Sequence, residues 1–382
     1  MKTKKTILPL ILTAAITASA AFGAAGCAKT ENTGSGLAVD YGAESYQKVQ
    51  YIDSVLSDRD SISGENFKLA QKWICWNLIE AGYAEKDIVK QDVPITKYYS
   101  KAKLNDVVCD YTTDGKFYNK SGRNYVEAED GAYVNATFTS PNIIIKKQGK
   151  SDKQIIVGAH YDGTGTGDNG SGVALALTTA QKLYSVQTEY SVVFVFFTSE
   201  EYGCYGSTTY ANAMSETEIE NTLYMINLDS LVCGDYCYLY GGVQDNENKT
   251  VTQTEAYENA MKVAKNLGLS FKSNPWTWEN MSPTDAAKNK ENPSYASPST
   301  GDWSDHKGFK NKGIQYVYFE ATNWEIPDYT GYGETYLVGM LMNTDNDYLE
   351  YIEKYFPGRI LSHLTKFSTL LNALLTQSNV NF

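Results

Sequence analysis

Three apolar runs in the middle of this chain each stop at an imidazole or a carboxylate, and that pattern restricts the fold more than any other feature. Gln154–Ala159 (QIIVGA) runs into His160, Ser191–Phe197 (SVVFVFF) into Glu200 and Glu201, and Leu223–Leu228 into Asp229. A run as apolar as Ser191–Phe197 has no polar face, so it is expected as a central parallel strand covered on both sides. A Gly-rich loop and a helix over about Gly172–Tyr184 follow the first run, and Gln315–Phe319 (QYVYF) reads as a further strand. Alternating strands and helices imply an α/β fold, a mostly parallel mixed sheet between helices. Ligands of such sheets collect at the carboxyl ends of the strands.

The residues at those ends are chemically suited to hold metal. His160, Asp168 in GDNGSG, Glu201, Asp229 and His306 in SDHKGF offer two imidazoles and three carboxylates. That is a donor set for two divalent cations, zinc by preference, with one carboxylate bridging. Asp162, two residues beyond His160, faces the same way on an extended backbone and is placed to accept the free ring N–H. Glu200 precedes a candidate ligand and is free to take a proton from water. Taken singly, each motif has a plain reading: an EE pair on a surface, an HxD in a loop, a DNGSG turn. His363, the third histidine, falls in a helical C-terminal stretch and reads as packing. What points to chemistry is the order of the motifs together with their placement.

Residues 1–26 have the plan of a secretory signal peptide, with three lysines, an apolar Ala-rich run and small residues up to Gly26. Small residues directly before Cys27 match the lipidation pattern of bacterial exported proteins, so Cys27 is the expected lipid attachment point and the membrane an expected partner. Residues 27–45 are small and polar, a flexible tether. The remainder, 46–382, is expected as a single domain with its motif core at 140–320, extracytoplasmic and membrane-anchored. Its net charge is −15, from 45 acidic against 30 basic side chains once the leader's three lysines are gone. That balance argues against nucleic acid as a partner.

Within this domain, residues 46–83 read as helical with Gly82 as the stop, and Ile88–Lys147 as short β-type runs. The Pro-rich stretch Ser273–Ser304 is expected as a long loop beside the site, either ordered over it or a mobile connector. Of the cysteines after Cys27, Cys233 and Cys237 can bridge only if Gly234-Asp235 turns; an extended strand keeps them apart.

The blocks His160-Tyr161-Asp162, Asp168-Asn169-Gly170-Ser171-Gly172, Glu200-Glu201-Tyr202-Gly203 with Gly206-Ser207, Asn227-Leu228-Asp229 and Ser304-Asp305-His306 together resemble the clan MH zinc aminopeptidases. That group includes bacterial leucyl aminopeptidases, aminopeptidase Y and the glutamate carboxypeptidases. The resemblance implies a mixed sheet of about eight strands and two zinc ions. It puts His160 and Asp229 on one ion, Glu201 and His306 on the other, Asp168 between them and Glu200 as general base. It further implies an exopeptidase, foremost an aminopeptidase acting on peptides with a free N-terminus. The eight positions from His160 to Asp168 form a tighter loop than in many relatives, and the first 140 residues do not align. Two alternatives stay open: a glutaminyl cyclase-like enzyme with one zinc, and a catalytically inactive peptide-capturing lipoprotein. An intact Glu200 beside the ligands argues against the second.

Overall fold

The computed structural model describes residues 39–62, 64–100, 109–111, 117–119, 122–126, 133–278, 295–326 and 333–380. The expected signal peptide, Cys27 and most of the tether lie outside these, as does 279–294 of the Pro-rich loop. Among the described residues no helix is long and apolar enough to cross a membrane.

The segment that reads as one helical stretch is two helices, α1 (Gly42–Val55) and α2 (Phe67–Ala81). Between them Asp58, Asp60 and Gly64 favour turns, and Gly64 and Asn66 bond back to the carbonyls of Asp60 and Asp58 at 2.8 Å each. Helix α2 stops where expected: Gly82 takes φ +112° and its N–H returns to Ile79. Strand β1 (Val89–Ser100) is followed by β2 (Cys109–Tyr111), β3 (Phe117–Asn119) and β4 (Gly122–Val126), a small antiparallel sheet of their own, and then by β5 (Tyr133–Lys147). The alternating part comprises β6 (Gln154–His160), α3 (Gly170–Leu183), β7 (Ser191–Phe197), α4 (Tyr205–Ala213), α5 (Glu216–Asn221) and β8 (Thr222–Leu228). Next come β9 (Tyr236–Tyr240), the hairpin β10 (Val243–Asp245) and β11 (Thr250–Thr252), α6 (Glu255–Asn266), α7 (His306–Lys310) and β12 (Tyr316–Thr322). Helices α8 (Leu349–Tyr355) and α9 (Arg359–Thr376) close the chain.

Among the described residues the main sheet has seven strands in the order β1-β5-β7-β6-β8-β12-β9, in keeping with the mixed sheet of about eight that the resemblance implies. β7, β6, β8 and β12 run parallel to one another, while β1, β5 and β9 pair antiparallel at the flanks. β6 and β7 are buried at every position, as continuous apolar runs require. Helices α1, α2, α3, α6 and α9 share one core with one face of the sheet. The other face carries an aromatic core that includes Phe197, Phe309, Tyr316, Tyr318 and Trp324. Full burial of each large apolar side chain contributes about 1.5–3 kcal/mol, so rings such as Phe194 and Phe197 on opposite faces pin β7 between the layers.

Strand register then delivers the site. Gly158 of β6 pairs with Asn227 of β8 in parallel, so His160 and Asp229, each two residues on, emerge level and on one face. His160 also pairs with Phe197, three residues before Glu200.

His363 lies in α9, buried, its ring bonded to the backbone of Leu231. Burial pushes its imidazole down to about 3, helped by Arg359 and Lys366. The unfolded chain therefore takes up a proton below about pH 6.5 that the folded chain refuses until about pH 3. Stability at this site is lost as pH falls through that window, by about 2 kcal/mol between pH 7 and pH 5. In urea unfolding of wild type and His363→Gln, the difference in stability is expected to shift by that amount in favour of the variant at the lower pH.

Candidate metal centre

At the end of β6 the His160 Nε2 lies 3.2 Å from Asp168 Oδ1, 3.3 Å from Asp229 Oδ1 and 3.9 Å from Glu200 Oε2. Behind the ring, Nδ1 is 3.6 Å from Asp162 Oδ1. The same Asp162 oxygen accepts the Glu200 backbone N–H at 3.1 Å, so the carboxylate that faces the histidine also holds the turn after β7. His160 Nδ1 itself makes no hydrogen bond, and the expected bond from the ring N–H to Asp162 is not formed. His160, Asp168 and Asp229 place their ligand atoms within 4.8 Å of one another, all buried.

Each ligand candidate is held by residues of its own motif. Asn169 caps α3, accepting from Gly172 N at 2.9 Å, and its amide donates to the Leu228 carbonyl at 2.8 Å. Ser171 donates to Gly167 O and accepts from Leu231 N. The DNGSG block thus stitches the start of α3 to the end of β8. Gly172 is required there, since a Cβ would sit 2.4 Å from both Asn169 Oδ1 and the Leu228 carbonyl. Asp168 is aimed by its neighbours: Asp347 accepts the Gly167 and Asp168 N–H groups at 2.7 and 2.8 Å, and Asn343 donates to Asp168 Oδ2 at 3.2 Å. Asn227 donates to Ser304, which donates to Asp229 Oδ2 at 2.6 Å. That relay explains the pairing of NLD with SDH. Ser199, at φ +57°, turns the chain after β7 so that Glu200 and Glu201 both line one cavity of about 320 Å³ with Asp168 and Asp229. Gly163, at φ +100°, lies so close that a Cβ would meet Glu201 Oε1 at 2.6 Å.

His306 is placed differently. It opens α7, buried, its ring between Tyr316 and Tyr318 at 4.6 and 5.1 Å. Its Nε2 donates to Gly301 O at 2.8 Å and its Nδ1 has no hydrogen-bond partner. Unlike Glu201 and Asp168, it does not line the cavity. The structure therefore brings His160, Asp162, Asp168, Glu200, Glu201 and Asp229 together, and sets His306 beneath the adjoining wall of β12. Cys233 and Cys237 are free and buried, with no bridge between them.

Several residues that were not among the expected ligands or base belong to this centre. Arg59, 2% exposed, donates to the carbonyls of Tyr161, Leu56 and Gly165 and adds a buried positive charge that acts on Asp347, Asp162, Asp168 and Glu201; nothing in its sequence neighbourhood marks it. Both oxygens of buried Asp305 lack a partner, and burial pushes its carboxyl up to about 7. Asp347 is likewise pushed up to about 7 by burial. Glu320, in β12, lines the same cavity; the rule that found Asp229, an acid at the end of an apolar strand, applies to it as well.

The electrostatics are those of too many acids in too little water. Burial, and for Glu201 the charge of Asp168, holds Glu200 and Glu201 well above the usual carboxylate range; burial also raises Asp168. Asp229 feels the same burial, but His160 and the hydroxyls of Ser304 and Ser230 outweigh it and leave its carboxyl low. Asp229 and Glu200 hold the His160 imidazolium against the opposing effect of burial. Two like charges 4 Å apart at an effective dielectric near 20 repel by about 4 kcal/mol. A divalent cation relieves this, and the N/O donor set suits zinc.

Buried imidazole and carboxylates brought to one crevice by parallel strands define a metallohydrolase. The model of peptidase family M28 matches residues 142–348, more than half of the chain, and the chain belongs to that family. It is a peptidase of that family, and its buried His160, Asp168 and Asp229 are grouped as a metal ion requires. The alkaline phosphatase isozyme conversion protein of Escherichia coli K12 is 29% identical over 276 residues, 65% of this chain and 74% of that protein. Aminopeptidase YwaD of Bacillus subtilis 168 is 39% identical over 98 residues, 24% of this chain but only 22% of its own length. In fold the chain is similar to BSAP, a zinc aminopeptidase from Bacillus subtilis, at TM-score 0.59 and 17% identity, over 89% of this chain and 96% of that one. It is also similar to a glutaminyl cyclase from an Acidobacteriales bacterium, at TM-score 0.56 and 17% identity, over 93% of this chain and all of the other.

Asp168→Asn removes one of the repelling charges. In chelated protein the variant is expected to melt higher than wild type. Zinc at about 100 times its Kd should stabilise wild type by about 2.7 kcal/mol, and the variant by a small fraction of that. Melting curves of both proteins with chelator and with zinc check both signs.

Proposed function

We propose that the chain is an exported, lipid-anchored aminopeptidase that removes residues from the free N-terminus of peptides, with Glu200 as general base. The observation that carries this reading is the position of Glu200 Oε2, 3.9 Å from the His160 Nε2 and at the edge of the Asp168–Asp229 cluster, inside a cavity open to substrate. His160, Asp168 and Asp229 would hold one zinc ion. Glu201 would share Asp168 toward a second, with the buried, unpartnered His306 Nδ1 as the remaining nitrogen donor. When bound, zinc supplies the Lewis acidity that polarises a peptide carbonyl and makes water acidic near neutral pH.

The chain's own groups do the rest. Asp162 faces the His160 ring as a countercharge at 3.6 Å and, by accepting the Glu200 backbone N–H, holds the turn that presents the base. Glu200 accepts the proton of the attacking water at its carboxylate and returns it to the departing amine. Burial that raises its carboxyl above the usual range strengthens it as a base for the first transfer. Removing a positioned general base typically costs about 10²–10⁴-fold in rate.

Glu200→Gln is accordingly expected to keep the zinc content of wild type and lose turnover by that factor. The assay incubates the zinc-loaded protein with unblocked and N-acetylated peptides and reads the products by mass spectrometry. Stepwise loss of N-terminal residues from the unblocked set alone is the expected result. Loss of ammonia from peptides beginning with glutamine would instead establish the cyclase. No product in any lane, with zinc bound, would overturn the peptidase reading and favour a capture protein.

A further inference from the structure

The cavity at the metal centre has a second polar feature that the hydrolytic reaction does not use. Beyond the metal-facing carboxylates its lining includes Trp303, Tyr318, Glu320, Trp324 and the acid Asp302. Asp302 is neutralised by an ion pair with Lys310. Glu320 has no such partner among the described residues. It is buried, and its carboxylate accepts from two hydroxyls, Tyr240 OH at 2.8 Å on Oε2 and Tyr318 OH at 3.1 Å on Oε1. The surrounding frame is rigid. Trp324 donates its indole N–H to Tyr240 OH at 2.8 Å and its backbone N–H to Tyr238 OH at 3.2 Å, and Tyr318 stacks on the His306 ring. Lys307 also lines the cavity, and no ion pair joins it to Glu320 among the described residues.

A buried carboxylate oriented by tyrosines and framed by two indoles has the chemistry of a seat for an organic cation. The carboxylate supplies charge and hydrogen-bond acceptors, and the rings supply negative faces and exclude water. We infer that Glu320, with Trp303, Tyr318 and Trp324, forms a subsite that binds a cationic nitrogen of the substrate. The inference rests on the peptidase reading of the same cavity. The nitrogen belongs either to the α-ammonium group of the peptide or to the side chain of an N-terminal lysine or arginine. Both present an ammonium or guanidinium to the same carboxylate.

The test is binding, not turnover. Calorimetry is run on the zinc-loaded full chain carrying Glu200→Gln, which suppresses cleavage of the amides. It compares lysinamide, N-acetyl-lysinamide, norleucinamide and N-acetyl-norleucinamide with Glu320 intact (the wild type of this comparison) and with Glu320→Gln. Wild type is expected to bind N-acetyl-norleucinamide, which has no cation, at least about tenfold more weakly than a cationic member of the set. A side-chain seat predicts that the variant loses that factor for lysinamide and N-acetyl-lysinamide but not for norleucinamide. An α-ammonium seat predicts the loss for lysinamide and norleucinamide but not for N-acetyl-lysinamide. The inference is overturned if wild type binds all four ligands alike, whatever the variant does. It is also overturned if Glu320→Gln weakens all four equally or none of them. A cation-selective pattern in a protein that cleaves no peptide would leave the subsite standing and remove the peptidase reading instead.

Discussion

Repulsion among buried carboxylates is the constraint on which the rest of this structure depends. Asp168, Glu200, Glu201 and Asp229 share one cavity lining, with Asp162 and Asp305 buried close by. Left alone, such groups either take up protons or push apart. The fold resists the second outcome with backbone and side-chain hydrogen bonds and with the buried charges of His160 and Arg59. Asp347 holds the backbone of Gly167 and Asp168, Asn169 ties α3 to β8, Ser304 restrains Asp229, and the Arg59 guanidinium clamps the loop after His160. These supports come from positions as distant as 59 and 347, which makes the site a product of the whole domain.

The same tension explains the chemistry. Carboxyls that burial raises hold their protons more readily than free ones, and a divalent ion takes the place of those protons. Glu200 is raised by burial and lies at the margin of the cluster. It is therefore suited to remain a base that gives its proton back. Asp229 is held low by His160 and two serine hydroxyls, a setting suited to a permanent anionic donor. Environment separates the roles of chemically similar acids.

Much of this was legible in the sequence, for a physical reason. Residues at the ends of apolar parallel strands cannot avoid meeting, so His160, Glu200, Glu201 and Asp229 could be brought together from pattern alone. Asp168 and Asn169 were legible because a capped helix start after a Gly-rich loop has few geometries. The sheet class followed from SVVFVFF, although the antiparallel flanks β1, β5 and β9 left no comparable mark. Arg59 was invisible because its function is to donate to carbonyls of a loop a hundred residues away, and no local pattern encodes that. The break between α1 and α2 that carries it was hidden by flanking helical periodicity. His306 was found as a residue, but its setting between Tyr316 and Tyr318 depends on β12 packing that no motif reports.

The central claim is that these carboxylates are held together for cations. Its most direct test is anomalous diffraction at the zinc edge from crystals grown with zinc. The account predicts a strong peak enclosed by His160 Nε2, Asp168 and Asp229, with a second on the Glu201 side of Asp168. Anomalous signal confined to surface residues, with the His160–Asp229 contact unchanged, would contradict it.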